Sequence, residues 1–147
     1  MSVLSDKTIK QLCIEAEKPL IWPFVEDCVS VDRGVSIPSY GLTSYGYDVR
    51  LGRNIKYFMT EGPDHHYVTY KRGNMEQCAK IPTTARVMKT TGHQDPLYVE
   101  IKDIDSIVLP PGAFILAHTD EHFNIPRNIT GICVGKSTIA RTGIIVT

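Results

Sequence analysis

A chain of 147 residues, 42% hydrophobic and 22% charged, is long enough for one globular domain with a buried core, and its composition excludes a disordered segment. Sixteen basic residues balance sixteen acidic ones, so no overall field draws the chain to nucleic acid or acidic lipid, and an anionic ligand must be small and locally held. No apolar run reaches membrane-spanning length, residues 1–10 lack a signal-peptide core, and the scattered Cys13, Cys28, Cys78 and Cys133 include no CxxC pair, which points to reduced thiols in the cytoplasm.

Along the chain, Ser5 is placed to cap a helix from Asp6 to Ala16, with Asp6 favourable in its first turn. Ile9, Leu12, Cys13 and Ala16 form one apolar stripe at helical spacing, and Pro19 and Pro23 close the region. The remainder reads as β. Tyr45, Tyr47, Val49 and Leu51 alternate with Gly46, Asp48 and Arg50, and Ile55, Tyr57 and Met59 continue the period past a bulge or turn at Gly52. Residues 60–96 are expected to be a polar surface excursion with short strands at His66–Tyr70 and Arg86–Met88. Leu97, Val99 and Ile101 alternate again, followed by Ile107–Leu109, a turn at Pro110-Pro111-Gly112, and a strand over Ala113–Ala117. A second turn, Asn124 to Asn128, leads into the apolar run Ile129–Val134. Short strands between Pro/Gly turns suggest a barrel or sandwich.

The densest chemistry lies in Gly135-Lys136-Ser137-Thr138-Ile139-Ala140-Arg141, between the apolar runs Ile129–Val134 and Gly143–Val146, both expected as strands. A glycine turn, two cations and two hydroxyls this close together suit a polyphosphate, which needs concentrated donors. The segment is not a Walker A loop: that loop has four residues between its first glycine and Gly-Lys-Ser/Thr, whereas three separate Gly131 from Gly135. It also lacks the long helix that a P-loop feeds.

Two segments together, Ser39-Tyr40-Gly41-Leu42-Thr43-Ser44-Tyr45-Gly46-Tyr47-Asp48-Val49-Arg50-Leu51-Gly52 and Gly135 to Arg141, resemble the dCTP deaminases of the dUTPase superfamily. Leu4-Ser5-Asp6-Lys7-Thr8-Ile9, Leu109-Pro110-Pro111-Gly112 and Phe123-Asn124-Ile125-Pro126 match as well, and the likeness is weakest over Thr60–Pro96. The resemblance implies a mainly β fold, a distorted dUTPase-like barrel with a short N-terminal helix, assembled as a homotrimer with active sites between subunits. It implies dCTP as substrate, converted to dUTP and ammonia, with Mg²⁺ carried on the triphosphate. On the family motif Gly-Lys/Arg-Ser-Ser/Thr-x-Ala-Arg, it implies that Lys136, Ser137 and Thr138 contact phosphates, with Ser137 and Arg141 in the deamination centre.

The family's proton-shuttling glutamate lies on a strand downstream of this motif. Because the chain stops at Thr147, inside the run Gly143-Ile144-Ile145-Val146, it is expected to be a single domain, 1–147, lacking its C-terminal strands. Loss of a general acid–base costs about 10²–10⁴ in rate, so the 147 residues alone are expected to be inactive. The rival functions are a dUTP diphosphatase or bifunctional enzyme on the same barrel, and a non-catalytic nucleotide-binding trimer should Thr147 be the natural end.

Other residues read as structural. Asp48 and Arg50 suit ion pairs across strands or subunits, and Tyr40, Tyr45 and Tyr47 suit core and turn packing. Cys133 reads as a small buried hydrophobe. His118 and His122 are four apart but off any helix, and His65-His66 has no partners, so no metal site is expected. Zinc deaminases carry His-x-Glu and Pro-Cys-x-x-Cys, and this sequence has neither, so a zinc-hydroxide mechanism is not expected.

Overall fold

The computed structural model describes residues 2–58, 65–82 and 98–146. In chain order its elements are α1 (Asp6–Ile14), β1 (Ile21–Trp22), β2 (Val29–Asp32), β3 (Val35–Thr43), β4 (Gly46–Asp48), β5 (Leu51–Phe58), β6 (His65–Arg72), β7 (Met75–Pro82), β8 (Tyr98–Ile101), β9 (Ser106–Ile107), β10 (Ile115–Thr119), β11 (His122–Phe123) and α2 (Ser137–Ala140). The protein is mainly β with a short N-terminal helix, as expected. Its strands form four small sheets, ordered β1-β11, β10-β5-β8, β2-β3-β4 and β7-β6-β9, and no closed barrel among the described residues. The described residues pack as two compact units.

The first unit contains residues 1–50 and 119–147. Ser5 sits at φ −78°, ψ 163° and its hydroxyl accepts from the Thr8 N–H, so the predicted cap forms. The helix ends at Ile14, two residues short of the expectation. Ile9 and Cys13, one turn apart, pack with Leu20, Ile21 and Leu42, flanked by Leu4, Leu12, Phe24 and Tyr47. Burial also raises the Cys13 thiol pKa.

The second unit is residues 51–118. Alternation along β5 turns Ile55 and Tyr57 inward, where they join Val68, Ile101 and Ile104; Tyr57 has 0% of its surface exposed. The turn after β9 forms where expected, with Ala113 N–H donating to Pro110 O.

Three expectations need correction. Residues 65–82 hold more structure than the expected excursion: the His66–Tyr70 strand forms, extended to β6, and pairs with an unforeseen β7 over eight residues each, from His65 opposite Pro82 to Arg72 opposite Met75, while Val68 enters the core. The expected Arg86–Met88 strand lies outside the described residues. The runs Ile129–Val134 and Gly143–Val146 form no strand among the described residues, and Ile132, Val134 and Ile145 are largely exposed. An apolar run becomes a strand only where a partner supplies hydrogen bonds. Cys133, in the first of these runs, is exposed rather than buried.

Gly52 lies within β5, where close packing also requires it. A Cβ there would come within 2.3 Å of His118 Cε1 and 3.0 Å of His118 O. Gly52→Ala is therefore expected to destabilise the protein by about 1–3 kcal/mol in urea unfolding. Adding His118→Ala should recover part of that loss, since the backbone contact remains. No recovery would mean that the backbone oxygen, not the imidazole, sets the limit.

Candidate functional site

The β3–β4 hairpin builds one half of the site. Gly41 faces Asp48, Leu42 faces Tyr47 and Thr43 faces Gly46, with Ser44 and Tyr45 at the turn. Gly41 has φ +100°, and a Cβ there would lie 2.2 Å from Asp27 O, so no other residue fits without moving that backbone. Tyr47 anchors the other side of the hairpin: its ring stacks on Phe24 and its hydroxyl accepts from the Val25 N–H at 3.0 Å. Burial is the main cause of the raised pKa of that phenol. Strand alternation therefore sends Tyr47 toward the core and Asp48 to the opposite side.

Lys136 meets Asp48 there. Ser39 Oγ donates to Asp48 Oδ2 at 2.6 Å, and Lys136 Nζ donates to both Ser39 Oγ and Asp48 Oδ2. The three side chains are half-buried and close a triangle of hydrogen bonds. The two segments that carry the family resemblance are thus in direct contact, across 88 and 97 residues of chain.

Beyond Lys136 the chain turns into the four-residue helix α2, where Ile139 and Ala140 N–H both donate to Lys136 O. Ser137 and Thr138 are exposed, and neither hydroxyl has a partner among the described residues. Arg141, at the end of the helix, is also exposed and makes no ion pair among them. The cations of the motif therefore differ: Lys136 is charge-balanced by Asp48, whereas Arg141 has no anionic partner among the described residues.

Arg50, two residues past Asp48, does not pair with it. Its guanidinium bonds Glu121 at 2.7 Å, lies 3.4 Å from Asp120 and stacks over the Tyr40 ring at 5.1 Å. Arg50 N–H also donates to Glu121 Oε2, and Asp120 N–H donates to Arg50 O. The hydrogen bond that Arg50 donates to Glu121 is the largest cause of the raised Arg50 pKa. The structural reading of Asp48 and Arg50 as ion-pair residues holds, with Lys136 and Glu121 as partners. Glu121, whose side chain is 0% exposed, carried no sequence signal, since Thr119-Asp120-Glu121-His122 reads as a polar turn. Asp48 did: an acid in one motif and a base in the other are natural partners once both motifs are placed together. His118 lies in β10, one residue before its end at Thr119, and His122 begins β11, so both are on strands rather than a helix.

A family model described as dCTP deaminase-like matches residues 3–147. The dCTP deaminase of Chlamydia pneumoniae is 36% identical over 148 aligned residues, which cover 99% of this chain and 65% of that protein. Those of Thiobacillus denitrificans and Protochlamydia amoebophila are each 38% identical over 146 residues, covering 99% of this chain and 64% of theirs. The chain thus spans somewhat under two thirds of the length of these curated relatives. No helix among the described residues is long and apolar enough to cross a membrane.

Proposed function

Since this chain belongs to the dCTP deaminase-like family, we propose that its protein hydrolyses Mg²⁺-bound dCTP to dUTP and ammonia. The observation that carries the reading is the contact of Lys136 with Ser39 and Asp48, which joins the two family segments into one site. Lys136, Ser137 and Thr138 bind the triphosphate. The two hydroxyls are exposed and unpartnered among the described residues, as incoming phosphate oxygens require.

In the reaction water adds to C4 of cytosine, one of its protons passes to N3 and the other to the amine, and the C4–N4 bond breaks as the C4 carbonyl forms and ammonia leaves. Negative charge gathers on N3 and the O2 carbonyl oxygen as the tetrahedral centre forms. Arg141 stabilises that charge with a guanidinium that stays protonated, and Ser137 hydrogen-bonds in the same centre. A separate acid–base group moves the proton. No zinc takes part, in keeping with the missing His-x-Glu and Pro-Cys-x-x-Cys motifs.

The assembly is a homotrimer with active sites between subunits. Exposed Ile132, Val134, Ile144, Ile145 and Val146 around the motif support a subunit contact there. Zero net charge supports a nucleotide rather than a nucleic-acid partner, and four unpaired thiols suit the cytoplasm.

The test is incubation of the full-length protein with Mg²⁺-dCTP, with products separated by ion exchange. Stoichiometric dUTP and ammonia are expected. Hydrolysis of dUTP without any ammonia release from dCTP would overturn the reading.

A further inference from the structure

We propose that Asp48 and Ser39 are positioning residues that hold the Lys136 ammonium in place for the phosphate chain; this rests on the phosphate-binding role of Lys136 proposed above. A lysine ammonium has three N–H donors. Two are committed here, one to Ser39 Oγ and one to Asp48 Oδ2, which leaves the third for a phosphate oxygen. Lys136 can therefore bind phosphate without releasing its holders.

The triangle is internally satisfied. Ser39 Oγ donates to Asp48 and accepts from Lys136, so its proton has one direction to point. Asp48 is itself fixed by its place opposite Gly41 in the hairpin, where Asp27 O approaches too closely for any side chain at 41. A free lysine carries up to about 2 kcal/mol of side-chain rotamer freedom that binding must remove. Holding Nζ before the ligand arrives removes that cost in advance, which is preorganisation. Asp48 also balances the lysine charge, so the site favours a ligand that fits its geometry over any passing anion.

The test uses the full-length protein in two arms. In the first, without ligand, acylation of each lysine by acetic anhydride is followed by mass spectrometry. Lys136 should react several-fold more slowly than the exposed lysines, and Ser39→Ala and Asp48→Asn should each speed it. Equal rates in wild type and both variants would overturn the holding role, whatever the protein's substrate.

In the second arm, KM for Mg²⁺-dCTP is measured in a double-mutant cycle. Asp48→Asn should raise KM about fivefold or more with kcat changed less than twofold, and Ser39→Ala should act in the same direction. In the Lys136→Ala background the Asp48→Asn effect should shrink to within twofold. An effect of equal size in both backgrounds, or a fall in KM, would overturn the proposal. Should Asp48→Asn fail to fold, Ser39→Ala, which keeps the carboxylate, completes the same cycle. A wild-type protein that ignores dCTP would refute the deaminase reading and leave the first arm to judge the lysine.

Discussion

Arg141→Ala in the full-length protein is expected to slow deamination of Mg²⁺-dCTP by about 10²–10³-fold in kcat, the usual effect of removing one donor aimed at developing charge. Arg141 is exposed at the end of α2 and makes no ion pair among the described residues, so removing it costs the fold little. The variant should keep its circular dichroism spectrum and unfolding midpoint, which isolates the chemical loss. Arg141→Lys should recover little, because a compact ammonium does not reproduce a planar fork of donors. Lys136→Ala should instead act mainly on KM, because a phosphate contact is made in ground and transition states alike. The measurement is steady-state ammonia release alongside thermal unfolding of each variant. A kcat within threefold of wild type for Arg141→Ala would remove the guanidinium from the reaction.

The second large effect is on stability. Arg50→Ala strands the Glu121 carboxylate, whose side chain is 0% exposed, without its cation. Breaking a buried pair from that side costs about 3–5 kcal/mol, a large share of the roughly 5–15 kcal/mol that holds a domain folded. The reverse change is milder. Glu121→Gln keeps an acceptor for Arg50 N–H, and Arg50, a third exposed, retains Asp120 at 3.4 Å and the Tyr40 ring. The asymmetry follows from burial: the acid is wholly enclosed and the base is partly wet. Replacing both partners with apolar residues of similar size should restore most of the loss. Urea unfolding of the three variants checks the order. A loss below about 1 kcal/mol for Arg50→Ala would mean that water reaches Glu121.

These two arginines show how differently the sequence exposes a role. Arg141 stands in a contiguous seven-residue motif, and the family resemblance of that motif implies its role. Arg50 stands in an alternating run that suits it to an ion pair without naming the partner. Its partner is 71 residues away.

By itself the sequence determined what depends on near neighbours. It specified the Ser5 cap and the stripe of α1, the turn at Pro110 to Gly112, the alternation that holds Ile55 and Tyr57, and two motifs that together resemble the family. Each of these rests on contacts within a few residues or on a fixed strand period. Tertiary structure alone decided which distant groups meet. The Lys136–Asp48–Ser39 triangle, the enclosure of Glu121 and the entry of Val68 into a core all depend on strand register and chain crossing. The same physics leaves Cys133 and the apolar runs near α2 exposed: hydrophobicity states that a residue prefers burial, and only a packed partner provides it.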